Sequence, residues 1–167
     1  RLCESPFSGT DRVEAIVERV RDYPRPPRLE PTDREIVVRH GGVEVARSRR
    51  ARRVLETFHP PVYYLPPDDV RTDLLTPDGG RRTVCEWKGG ATYWNLTGGP
   101  ARVAWSYENP VDGFRSIAGC FAFYAGRVDE ALVDGVRAEP QPGSFYGGWI
   151  TPDLEGPFKG GPGTEGW

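Results

Sequence analysis

Apolar positions change period once along this chain, near Arg34. Before it, Val13, Ile16, Val17 and Val20 recur at i, i+3, i+4 and i+7, which predicts an amphipathic helix over residues 10 to 21 capped by Thr10, with Asp11 at the positive end of its dipole. "YPRPPRLEP" (23 to 31) then stops the helix with prolines and predicts an extended connector. After Arg34 the apolar residues come in short β-rich runs separated by turn residues. "EIVVRHGGVEVA" reads as a hairpin about Gly41-Gly42, and "VLETF", "VYYL", "TVCEW", "ATYWNL", "RVAWSYE" and "SIAGCFAFYA" read as further strands. "PPDDVRTDLL" reads as a proline-led helical turn, and Gly89-Gly90 as the tight turn of a second hairpin. The pattern predicts a mainly β chain in three parts. These are a helix and connector over 1–33, a core of antiparallel strands over 34–140, and an irregular Gly/Pro-rich extension over 141–167 that packs on the core through its aromatic residues.

Composition narrows the classes. The chain has 167 residues and a formal net charge of -2, which suits one domain and supplies no overall basic field for nucleic acid or an anionic membrane. No run of about 20 apolar residues and no signal-type segment is visible, so the expected compartment is the cytoplasm. Cys3, Cys85 and Cys120 are widely spaced with no C-x-x-C, so neither a disulfide framework nor a zinc site is expected, and no cofactor is implied. The basic run "RSRRARR" (47 to 53) lacks interleaved aromatics and reads as a solvated face.

Only two lysines occur, Lys88 in "WKGG" and Lys159 in "FKGG"; arginine supplies the remaining formal positive charge. A retained lysine in so arginine-rich a chain suggests that a compact ammonium is wanted there. Neither stretch is a phosphate loop, because Lys159 precedes its glycines and Lys88 lies between strands. The first stretch does set Lys88 beside Cys85 and Trp87, with Tyr93 and Trp94 just past it and Trp105 and Tyr107 sharing a face of the following strand. Such aromatics are either plain core or the lining of a ligand pocket. Cys85 is likewise either a structural thiol or a nucleophile activated by Lys88, and a Cys-His dyad would need His40 or His59 to arrive through the fold. Asp68 reads as a cap, whereas Asp69 and Arg71 are open to a role in binding or acid-base chemistry.

"PPVYYLPPDDVR", "CEWKGGATYW", "AWSYENP" and "IAGCFAFY", in that order, resemble the bacterial and fungal family called domain of unknown function 427, which also carries a nucleotidyltransferase label. The resemblance covers about residues 34 to 140. It implies a β-tent-like fold, two antiparallel sheets meeting at an angle over a small-molecule pocket, as in methionine sulfoxide reductase B and the thalidomide-binding domain of cereblon. The residues that match the family pattern are Tyr64, Asp69, Arg71, Cys85, Lys88 and Tyr93, followed by Trp105, Tyr107 and Tyr124.

The expectation is a protein that binds a small molecule in an aromatic pocket, with no nucleic-acid or membrane partner and no metal. Cys85, Lys88 and Asp69 are the candidate catalytic residues. Tyr64, Arg71, Trp87 and Tyr93 are candidate ligand contacts, as are Trp94, Trp105, Tyr107 and Lys159. Two alternatives remain open: a non-catalytic module with an aromatic cage, and a nucleotidyltransferase in which Asp68, Asp69 or Asp73 converge on a metal.

Overall fold

The computed structural model describes residues 17–80, 83–85, 88–143 and 145–167. It opens with a short strand β1 (Glu18–Arg19), a 3-10 turn over Val20–Asp22, and β2 (Arg28–Pro31). Then come β3 (Ile36–His40), β4 (Val43–Ser48), β5 (Arg52–Leu55) and β6 (Val62–Tyr64). Two 3-10 turns, Pro67–Asp69 and Thr72–Leu74, lead into β7 (Leu75–Pro77), β8 (Thr83–Cys85), β9 (Gly89–Leu96), β10 (Ala104–Ser106) and β11 (Phe121–Phe123). The rest is β12 (Glu130–Val133), β13 (Val136–Arg137), β14 (Glu139–Pro140), β15 (Trp149–Ile150) and β16 (Leu154–Glu155).

The architecture is mainly β, in several antiparallel sheets of which none closes. One sheet has the order β13-β12-β3-β4, and its β3–β4 turn is Gly41-Gly42 with φ of 58° and 76°, a pair that glycine adopts without strain. A second has the order β2-β5-β6, and a third β11-β10-β9-β7 with β8 on the same edge of β9 as β7. The last two are joined, since Leu65 just beyond β6 exchanges both backbone hydrogen bonds with Phe121 of β11, at 2.8 and 2.9 Å. The first sheet packs against one face of this joined sheet, where Ile36, Val38 and Val45 meet Leu65, Phe121 and Phe123 in a continuous buried core. Among the described residues no helix is long and apolar enough to cross a membrane.

Two expectations change. Residues 10 to 16 of the expected helix lie outside the described residues, and residues 17 to 21 form no α-helix: Arg19 is extended, with φ -99° and ψ 115°, and Val20 and Arg21 belong to the 3-10 turn. Tertiary capture overrides the 3.6-residue period. Val17 is 53% exposed while Val20 is fully buried against Tyr23 and Leu55, and β1 pairs in parallel with β16 of the extension. Glu18 receives a fork of hydrogen bonds from Arg53 at 2.8 and 3.0 Å, and the Tyr23 hydroxyl donates to the same carboxylate. The second change is in register. Gly89 and Gly90 begin β9, with Gly89 opposite Cys85, and Lys88 sits in a turn immediately before the strand.

The basic run 47 to 53 is tied up in ion pairs: Arg47 and Arg49 with Glu35, Arg50 with Asp69, and Arg53 with Glu18 and Glu30.

Candidate functional site

The register of β9, β10 and β11 sorts their side chains into two sets. Tyr93 stands opposite Trp105, which stands opposite Ala122; one step along, Trp94, Ala104 and Phe123 align in the same way. Because successive side chains alternate in direction, the second set faces the core and the first set faces away from it. Tyr107 and Tyr124 continue the first set, and Tyr64, next to core-facing Tyr63, joins it from β6.

This outward aromatic face is covered by other segments, leaving a cavity of about 490 Å³. Tyr64, Tyr93, Trp105, Tyr107 and Tyr124 form one wall, and the rings are fitted to one another. Trp105 lies 4.5 Å from Tyr124 centroid to centroid and edge-on to Tyr64, and its indole N–H donates to the Tyr64 hydroxyl at 3.2 Å. The Tyr93 hydroxyl shares a 2.7 Å hydrogen bond with Thr83 of β8. Burial pushes the phenols of Tyr64, Tyr107 and Tyr124 well above their ordinary range, so they stand as neutral hydroxyls. Cys85, half-buried at the end of β8, reaches the same cavity, whereas Cys120 is buried and its thiol is raised by that burial.

The remaining walls are polar. Both lysines of the chain line the cavity, Lys88 from the β8–β9 turn and Lys159 from the extension, together with Arg25 from the connector. The Lys88 ammonium lies 6.0 Å from the centroids of Tyr107 and Phe114, and that of Lys159 lies 5.5 Å from Tyr146, within the range of cation–π attraction. Lys159 also donates to the main-chain oxygen of Trp167 at 3.2 Å, and Arg25 donates to that oxygen and to Thr57 O. Among the described residues no aspartate or glutamate side chain lies within salt-bridge distance of these three cations. The single acidic side chain in the lining among the described residues is Glu56, held 2.9 Å from Nδ1 of His59. Burial works to raise the Glu56 carboxyl. The His59 hydrogen bond and charge, with the charges of Lys88 and Arg25, outweigh it and hold Glu56 below its usual value.

The extension is fitted to the aromatic wall by backbone contact. A Cβ on Gly147 would stand 2.1 Å from the Trp105 ring, so only glycine permits this approach. Gln141 is buried and holds the extension to itself, donating to Lys159 O at 2.8 Å and accepting from Gly148 N–H. Lys159 N–H donates to Phe58 O at 2.7 Å, which fixes the second "KGG" stretch beside the Glu56–His59 loop.

Of the residues singled out in the sequence, Tyr64, Cys85, Lys88 and Tyr93 share this cavity with Trp105, Tyr107 and Lys159. Three others lie elsewhere. Asp69 accepts from Ser48 and from the Arg50 guanidinium, whose hydrogen bonds hold its carboxyl low; Arg71 pairs with Asp73 at the exposed surface. Trp94 faces the core, 5.3 Å from Phe121, with its N–H on Ser106. Trp87 lies outside the described residues. Among the described residues no three histidine, cysteine, aspartate or glutamate side chains gather as a metal site requires. Sequence reasoning missed Arg25, Glu56, Gln141 and Tyr146. The signal for Glu56 was present in "ETFHPP", where an acid and a histidine three positions apart sit among apolar and proline residues. His40, the other histidine, sits beside Asp129 and does not line this cavity.

No curated protein matches the chain. A family model described as Domain of unknown function (DUF427) matches residues 28–134, which hold the strands that carry the aromatic wall, and the chain belongs to that family.

Proposed function

We propose that this protein binds a small organic molecule in the cavity over the aromatic face of the joined sheet, in a β-tent-like arrangement of its sheets. The observation that carries the reading is the split of β9, β10 and β11 into a packed face and a second face whose rings border about 490 Å³ of space, a size suited to a metabolite. A phenol or indole is a costly choice for filling a core, because each hydroxyl or N–H needs a partner. It is a useful choice for a wall that offers both a ring to stack on and a group to hydrogen-bond.

The neutral fluorophore N-phenyl-1-naphthylamine tests this reading. It is expected to bind saturably at one site with a rise in emission, and Val62→Trp, which fills the cavity from β6, is expected to abolish binding while the melting temperature stays near that of the parent. Equal binding by the filled variant would remove the support for a cavity ligand.

A second reading, catalysis, has one specific observation in its favour: Cys85, Lys88 and the Glu56–His59 pair all border the same cavity. A thiol that shares a cavity with an ammonium and an imidazole has there the two kinds of group, a charge partner and a proton acceptor, that activate a cysteine nucleophile. Iodoacetamide at neutral pH, followed by peptide mapping, is expected to modify Cys85 roughly ten times faster than Cys120. Matching rates would leave the binding module as the whole function.

A further inference from the structure

The charge of the cavity is opposite to that of the chain. The protein as a whole is at -2. Among the described residues the cavity lining carries Arg25, Lys88 and Lys159 against the one acidic side chain of Glu56, and that carboxylate is already engaged by His59. An unpaired cation is normally left in bulk water, where hydration costs nothing. Here three come from separate parts of the chain to line one space, Lys88 and Lys159 half-buried and Arg25 exposed. Two of them are the only lysines in a sequence that otherwise uses arginine, and arginine is the residue of choice where a fixed ion pair is wanted. Four of the five arginines of the 47 to 53 run, Arg47, Arg49, Arg50 and Arg53, show that habit, being engaged by Glu35, Asp69, Glu18 and Glu30. The cavity cations instead keep their partners to ring faces and main-chain oxygens, which leaves N–H donors for an incoming acceptor.

We propose that the cavity is a receptor for a planar organic anion, its ring against Trp105 and Tyr124 and its carboxylate or phosphate group between Lys88 and Lys159. This deepens the reading above and rests on it. Low-dielectric aromatic walls strengthen the attraction of the two ammonium groups for an anion over what they would exert at an open surface. Trp105 and Tyr124, with centroids 4.5 Å apart and planes tilted by 49°, set two ring faces at an angle, against either of which a flat ring can stack. The family match ends at residue 134, so Lys159 and the rest of the extension add to the aromatic wall a charge that the matched segment does not hold. In this scheme Lys88 and Lys159 determine that the ligand is an anion, and the tyrosines and Trp105 determine that it is flat.

The test compares two probes that differ in one group, 8-anilinonaphthalene-1-sulfonate and the neutral N-phenyl-1-naphthylamine, titrated into the full chain at low salt. The sulfonate is expected to bind at least about tenfold more tightly than the neutral probe, and Lys88→Met to weaken it by about tenfold with the neutral probe unaffected. Lys88→Met/Lys159→Met is expected to erase the preference. Lys159 also holds Trp167, so the Lys88 single variant, whose ammonium touches only rings among the described residues, carries the result if the double variant melts early. Competition by benzoate and by phenyl phosphate separates the two anion types: displacement by either supports the proposal and names the head group. Equal binding of both probes, or a sulfonate affinity indifferent to Lys88→Met, overturns the anion inference and leaves the small-molecule reading standing. Failure of both probes to bind overturns both.

Discussion

The two faces of the joined sheet are built from the same strands yet differ in kind. Toward the core, β9, β10 and β11 present Trp94, Ala104, Phe121 and Phe123, with Trp149 of the extension closing over them; its indole N–H is met by Phe123 O at 2.8 Å. Toward the cavity the same strands and their ends present Tyr93, Trp105, Tyr107 and Tyr124. On these three strands and their ends the phenylalanines point to the core and the tyrosines to the cavity, with a tryptophan on each side. The difference teaches that relative burial alone does not separate core from site: Trp105 and Tyr107 are 7% and 6% exposed, no more than many core residues, yet they border open space. What separates the faces is whether the opposing layer is another sheet or a set of loops. Sheet against sheet leaves no room, whereas the loops around Glu56 and Tyr146 arch over the surface and leave a volume beneath them.

That contrast can be broken by measurement. The largest effect is expected at Phe123→Ala, which should lose about 3–5 kcal/mol in urea unfolding because the packed face cannot collapse around the hole. A loss below about 1 kcal/mol would mean that this face is not packed as a core. Next comes Gly147→Ala. The added methyl would overlap Trp105, which its neighbours hold in place, so the extension must lift, at a cost of about 1–3 kcal/mol. Tryptophan quenching by acrylamide should rise with it, and unchanged quenching would show that the extension does not rest on that ring. The smallest effect concerns Glu56. Its folded value lies below the ordinary 4.5, so its contribution to stability is fully present above that value and is lost as the pH falls through the lower folded one. Glu56→Gln should therefore flatten the acid limb of the stability–pH curve and leave the neutral region comparatively level. A limb that keeps its slope would move the acid sensitivity to other carboxylates, such as Glu18 or Asp153, which are also held low.

The strands were legible because their signals are local. Gly41-Gly42 needs no tertiary help to turn, and the alternation in "ATYWNL" and "RVAWSYE" places Tyr93 and Trp105 on one face whatever lies opposite. The helix expected over residues 10 to 21 was a local signal as well. For residues 17 to 21 it lost to contacts made far along the chain, the pairing of β1 with β16 and the grip of Arg53 on Glu18. The same reason explains the site. Cys85, Lys88 and Tyr93 sit close together in sequence and could be grouped from it, whereas Arg25, Glu56 and Gln141 join them only through the fold. Asp69 and Arg71 illustrate the reverse case. Their motif pointed to chemistry, and their charges are spent on Arg50 and Asp73.

The hydrogen bond from Arg25 to Trp167 O spans 142 positions, nearly the whole chain. Contacts of such high sequence separation carry the heaviest loop-closure entropy and are the last to repay it during folding. The β3–β4 and β9–β10 hairpins can form early and lay down the packed face, while the cationic wall waits for both ends of the chain to arrive. Completion of the cavity is thereby placed late in the folding reaction, and the aromatic face is the surface left uncovered until then.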